Sequence, residues 1–195
     1  MDTKTRNRNI AITGALGALT ILFGFTRLGL IPWFSGASIT ILHVPVILAT
    51  ILAGFGVGET VGLIFGLTSL VVAATQGTGL DLYFINPLIS VLPRLCIAPA
   101  VYFVYKGLRR IKWCPDFIAT GIAAFTGTMV NSALVLFLLV CKGAITFEVL
   151  AVVITGNSIL EAAAAVIICV AVNAVRNGVK NRKTKSSFSE ETENN

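Results

Sequence analysis

From Phe117 to Cys141 the chain carries no charged side chain. A helix needs about 20 mostly apolar residues to cross the hydrocarbon core of a bilayer, so this stretch can cross once. It is not alone. Of 195 residues, 55% are hydrophobic and only 12% charged, and the mean hydropathy is +0.87. A soluble chain of this size has no core large enough to hide that much apolar surface. Disorder is excluded by the same hydrophobicity. Four cysteines in this length do not make a disulfide scaffold. An all-α integral membrane protein remains, with short connections between its spans.

Six spans are expected: Asn9–Leu30, Ile39–Phe55, Val57–Thr75, Phe84–Tyr105, Phe117–Cys141 and Phe147–Val175. The second and third meet at Gly54-Phe55-Gly56-Val57-Gly58-Glu59, a glycine-rich turn that suits an antiparallel hairpin. The sixth is overlong and is expected to tilt or to begin in the interface. The N-terminal apolar run is longer than a secretory signal core and five spans follow it, so it is expected to stay as the first helix.

Positive charge is clustered. Lys4, Arg6 and Arg8 precede the first span; Lys106, Arg109, Arg110 and Lys112 lie between the fourth and fifth; Arg176, Lys180, Arg182, Lys183 and Lys185 follow the sixth. The positive-inside rule places both termini in the cytoplasm, and an even number of spans agrees with this by putting them on one side. The outer connections are then Ile31–Ser38, Gln76–Tyr83 and Lys142–Thr146. Each basic cluster sits beside a helix end, which argues against nucleic-acid binding. The expected organisation is a basic N-terminus at 1–8, a six-helix membrane domain at 9–175, and a cytoplasmic tail at 176–195. That tail, ending in Glu190, Glu191 and Glu193, reads as disordered.

No Gly-Lys-Ser/Thr phosphate loop, H-E-x-x-H or G-x-S-x-G occurs. Asp81 and Asp116 fall on opposite sides of the membrane, and no catalytic constellation is expected. With a single histidine, a metal cluster has little to build on, and no cofactor is expected. Cys96, Cys114, Cys141 and Cys169 read as small buried hydrophobes.

Ionisable groups inside spans are costly and usually functional. Arg94 follows Pro93 in the fourth span, eight positions after Asn86, which is roughly 12 Å below the outer boundary at 1.5 Å per residue. Asn131 and Asn157 lie at similar depth in the fifth and sixth spans, roughly 15 Å in. His43 enters the second span at a shallower level, and Glu161 is one turn below Asn157 on the same face. Two readings stay open. One is a buried polar network with Glu161 as counter-ion to Arg94. The other is an outward-opening pocket whose guanidinium takes an anionic ligand. Arg27 is placed to snorkel at the outer end of the first span. Pro32-Trp33-Phe34 and Leu82-Tyr83-Phe84 put aromatics at the outer interface, as a belt or as a cover.

Small residues mark helix faces that approach closely in lipid. Gly54, Gly58, Gly62 and Gly66 recur every four residues and read as packing within the bundle. Ala11, Ala15 and Ala18 read either as internal packing or as a face for another membrane subunit.

Three stretches carry a resemblance. They are Ile39-Thr40-Ile41-Leu42-His43-Val44-Pro45-Val46-Ile47-Leu48, Gly62-Leu63-Ile64-Phe65-Gly66-Leu67-Thr68-Ser69-Leu70, and Phe84-Ile85-Asn86-Pro87-Leu88-Ile89-Ser90-Val91-Leu92-Pro93-Arg94. With the size and the A-x-x-x-A face, the chain over about residues 8–175 resembles the substrate-binding S component of an energy-coupling factor (ECF) vitamin transporter. The resemblance implies a multi-pass protein of a prokaryotic cell membrane without an ATPase of its own. It implies docking on a membrane T component that carries two cytoplasmic ATPase subunits, through Ala11, Ala15 and Ala18, and toppling in the membrane to release its ligand. It also implies an outward-facing vitamin pocket at Asn86, Arg94, Asn131 and Asn157. The His43-Val44-Pro45 and Asn86–Arg94 stretches resemble the pantothenate branch most, with riboflavin and folate types in the same group. A ligand-free structural subunit and a solitary ion-coupled carrier are the competing functions. Carriers usually show inverted repeats, and no convincing repeat relates the two halves here.

Overall fold

The computed structural model describes residues 2–26, 30–32 and 38–193. Arg27, Trp33 and Phe34 lie outside the described residues. Helix α1 spans Thr3–Thr26, followed by a two-stranded antiparallel ladder of β1 (Leu30–Pro32) and β2 (Ser38–Thr40), with Leu30 opposite Thr40. Helices α2 (Val44–Ala53) and α3 (Phe55–Gln76) come next, then a 3-10 helix at Gly79–Ile85. They are followed by α4 (Pro87–Ser90), α5 (Leu92–Leu108), α6 (Asp116–Cys141), α7 (Phe147–Val153), a π-helical segment at Ile154–Ser158, and α8 (Ile159–Glu193). Apart from the ladder, the described fold is helical. Five helical stretches are long and apolar enough to cross a membrane: Thr3–Thr26, Phe55–Gln76, Pro87–Leu108, Asp116–Cys141 and Phe147–Val179.

Several boundaries differ from the sequence expectation, each for a local reason. The stretch expected to span as Ile39–Phe55 gives a helix of only 10 residues, about 15 Å long. Its β-branched start, Ile39-Thr40-Ile41, enters or adjoins β2, and Pro45 in the first turn of α2 sets where that helix begins. Residues Val44–Ile51 are buried throughout, so α2 is the middle of the bundle rather than one of its walls. The expected continuous helix Phe84–Tyr105 is broken. Phe84 belongs to the 3-10 helix, and Pro87 and Pro93 each restart the chain as a new helix. The overlong sixth span contains the π segment, which adds a residue to the turn and re-aims the side chains after it. The tail expected to be disordered continues α8 as far as Glu193. It carries no glycine after Gly178 and no proline, and extending a helix already formed costs far less than nucleating one.

The glycine ladder packs the bundle, as expected. A Cβ on Gly58 would collide with Thr50 of α2; on Gly62 it would lie 2.8 Å from the Arg94 carbonyl oxygen, and on Gly66 2.8 Å from Val91 Cα. Gly54 plays a different part. It faces open space with φ +96°, the left-handed turn that reverses the chain between α2 and α3. Helix α1 meets α3 through Gly17 and Gly24, whose added Cβ atoms would touch Ile64 and Thr68. Ala11, Ala15 and Ala18 are left exposed on its other side. Of the cysteines read as buried, only Cys169 is fully so; Cys96 and Cys114 are half-buried and Cys141 is exposed.

At the end of the bundle where α5 gives way to α6, Asp116 ties three helices. One carboxylate oxygen accepts from Tyr105 Oη (2.8 Å) and pairs with Arg109 Nε (3.2 Å). The other accepts from Asn173 Nδ2 and Asn177 Nδ2, both at 2.6 Å. Asn173 also reaches Thr120 Oγ1 (2.8 Å). Arg109 is 47% exposed, so that ion pair adds little, and the neutral donors carry the knot. Asp116→Ala strands them together and is expected to lower stability by about 2–4 kcal/mol. Thermal unfolding in detergent checks this, with Arg109→Ala expected to cost less than about 1 kcal/mol.

Candidate functional site

Pro93 has no N–H to give to the carbonyl of Ile89, four residues before it. The next side chain repairs that loss: Arg94 Nη1 donates to the Ile89 carbonyl at 2.8 Å. The Pro-Arg pair thus breaks the helix and anchors the guanidinium in the gap. Ser90 Oγ donates to the Gly66 carbonyl (3.0 Å) and pins the break onto α3. Arg94 Nη2 reaches Ser69 Oγ at 3.4 Å, and its Cζ lies 5.0 Å from the ring centroids of both Phe65 and Phe84. The guanidinium is therefore held between two aromatic rings, a favourable setting for a desolvated cation. It is 6% exposed, and its Nε has no hydrogen-bond partner.

Glu161 is not its salt-bridge partner: among the described residues Arg109–Asp116 is the ion pair formed. The Glu161 carboxylate accepts instead from neutral donors. They include the Thr40 backbone N–H (2.6 Å) and the Thr40 hydroxyl, Asn157 Nδ2 (3.4 Å) and Ser132 Oγ (3.4 Å). A buried guanidinium with no carboxylate in contact is the opposite of what a structural ion pair requires.

Two cavities adjoin at Arg94, and Thr40, Phe65 and Phe84 line both. The first, about 160 Å³, extends to Gly24, Leu42, Ser69, Val72, Ala73 and Asp81. The second, about 140 Å³, extends between α6 and the π segment to Asn131, Ser132, Asn157 and Glu161. Arg94, Asn131 and Asn157, expected at one level, are thus brought together, and Glu161, expected one turn below Asn157, joins them. Asn131 is 8% exposed and its Oδ1 has no partner.

The other two candidates lie elsewhere. The Asn86 Oδ1 accepts from Leu88 N (3.0 Å) and caps α4, lining neither cavity. An Asn before a Pro is the cap-then-first-turn pattern, so this role was readable. His43 is fully buried where α2 begins, with neither ring nitrogen hydrogen-bonded, and it too lines neither cavity. Phe65, Ser69, Thr40 and Ser132 were not foreseen. An aromatic or hydroxyl in an apolar span carries no mark of what it will face. No group of three potential metal ligands occurs among the described residues.

Residues 8–177 match the family model for the ECF transporter substrate-specific component. The chain is 30% identical over 190 residues to the pantothenic acid transporter PanT of Lactococcus lactis subsp. cremoris (strain MG1363), covering 87% of this chain and 93% of that protein. With a helical bundle of membrane-spanning length built round a buried cation, the chain belongs to the substrate-specific S components of the ECF transporters, a family of transporter subunits and not of enzymes.

Proposed function

We propose that this protein captures pantothenate at the outer side of a prokaryotic cell membrane and delivers it to an ATP-driven importer. The observation that carries the reading is the Arg94 guanidinium, buried, without a carboxylate ion pair among the described residues, and flanked by the amide and hydroxyl groups of Asn131, Asn157 and Ser132. A carboxylate ligand would supply the missing counter-charge at Arg94, and its hydroxyl and amide groups would meet the second cavity. The apolar part would lie against Leu42, Phe65 and Val72 in the first. Ligand sites for small molecules run to about 300 Å³ or more. Each cavity is smaller than that, so the ligand is read as occupying both, across the shared edge at Phe84.

The topology adopted is six membrane segments, α2 being the short central one, with both termini cytoplasmic. The basic clusters at Arg109–Lys112 and Arg176 support this orientation. ATP is hydrolysed by partner ATPase subunits, reached through a membrane T component. Ala11, Ala15 and Ala18 stand exposed on α1, and a Cβ on the neighbouring Gly14 would meet nothing within 4 Å. This small, unpartnered face supports the docking role.

Calorimetry with pantothenate, riboflavin and folate on the purified protein is the direct test, with tight binding of pantothenate expected. Folded protein that binds none of them would overturn the reading. Ala15→Trp is expected to leave pantothenate affinity within about threefold, since a surface change away from the cavity alters energies by about 0.5 kcal/mol. It is expected to abolish uptake in cells, because a bulky side chain holds facing helices apart.

A further inference from the structure

Strand β2 has a problem that Glu161 solves. A two-stranded ladder is only marginally stable by itself, and a backbone N–H on its outer edge has no sheet partner. In β2 the Thr40 N–H donates across 121 residues of chain to Glu161 Oε1 at 2.6 Å. Glu161 stands just after the π segment, and β2 packs against both that segment and α8. Thr40 is also a wall of both cavities beside Arg94. The groups that donate to this carboxylate among the described residues are neutral: the Thr40 main-chain N–H and hydroxyl, the Ser132 hydroxyl and the Asn157 amide.

We infer that Glu161 is a positioning residue that holds strand β2 against the ligand cavity by accepting the Thr40 N–H, and that its acceptor oxygen rather than its negative charge is what the site needs. The inference rests on the reading of the Arg94 cavity as the ligand site, and it assigns Glu161 a role other than counter-ion to Arg94 or to the ligand. A counter-ion requires the charge. A tether requires an oxygen at the same place, which glutamine also supplies.

The test has one arm without ligand. Amide hydrogen exchange at Thr40, read by residue-resolved mass spectrometry on the full chain in nanodiscs, is expected to be about tenfold faster or more in Glu161→Leu. In Glu161→Gln it is expected within about threefold of the parent, and likewise in Ser132→Ala, which removes a different donor to the same carboxylate. The second arm is pantothenate dissociation. Glu161→Leu and Thr40→Pro, which deletes the Thr40 N–H together with its hydroxyl and leaves the carboxylate, are both expected to speed release about tenfold, with Glu161→Gln near the parent rate. Circular dichroism confirms that each variant is folded; should Glu161→Leu not fold, Thr40→Pro against Glu161→Gln makes the same comparison. Equal loss in Glu161→Gln and Glu161→Leu would overturn the inference, because charge would then be the active property. Faster exchange with unchanged release would overturn it too, since β2 would not govern the cavity. If the parent binds no pantothenate, the functional reading fails on its own, and exchange alone decides the tether.

Discussion

Replacing Arg94 with alanine is expected to weaken pantothenate binding by roughly a hundredfold or more, the loss of about 3 kcal/mol that a buried charge-assisted contact represents. The protein should still fold. The lost partners are the Ile89 carbonyl and the Ser69 hydroxyl, a cost of about 1–3 kcal/mol that is partly offset because no carboxylate is left unpaired. Arg94→Lys keeps the charge but not the planar fork that sits between Phe65 and Phe84 and reaches two acceptors. It is expected to recover only part of the affinity. Calorimetric titration alongside thermal unfolding separates the two effects. Unchanged affinity in folded Arg94→Ala would remove the basis for an anion site.

Gly62→Val is expected to damage stability and binding together, although residue 62 lines neither cavity. Its Cβ would lie 2.8 Å from the backbone carbonyl oxygen of Arg94 and 3.5 Å from Val46 Cγ1. Backbone does not swing aside as a flexible side chain can, so α3 and α5 must separate where Arg94 is held. Overpacking of this kind costs about 1–3 kcal/mol, and a guanidinium displaced by even a fraction of an ångström should lose about tenfold in affinity. Gly56→Ala is the matched comparison. Its Cβ meets nothing within 4 Å, and replacing a helical glycine by alanine stabilises by about 0.5–1 kcal/mol. Denaturation and titration of the two variants should move in opposite directions for stability, and only Gly62→Val should affect binding.

Much of this was legible because its causes are local or nearly so. The Pro87 and Pro93 breaks, the Gly54 turn and the Asn86 cap each follow from the chemistry of one or two neighbouring residues. The Pro87 and Pro93 breaks run against the continuous span expected over Phe84–Tyr105, and prolines six apart are the local reason. The Asp116 knot also left a trace. Asp116 and Thr120 are four apart on one helix, and Asn173 and Asn177 four apart on another, so each pair shares a face. Nothing in the spacing said that the two faces would meet. The height of Arg94, Asn131 and Asn157 came from counting residues at a fixed rise per residue, which is why their convergence was foreseeable. The partner of Glu161 was not, because rise along an axis carries no information about which way a side chain turns.

Membrane residence, the helical class and the shared level of Arg94, Asn131 and Asn157 follow from sequence alone. In lipid every backbone group must be satisfied within its own segment, and apolar length then dictates what spans. The tertiary structure decided that Arg94 stands between Phe65 and Phe84 without a carboxylate, that Glu161 turns to Thr40, and that His43 is walled off from both cavities. Those outcomes depend on how closely helices approach, and glycines at 62 and 66 set that distance through contacts with Arg94 and Val91, far away in the chain.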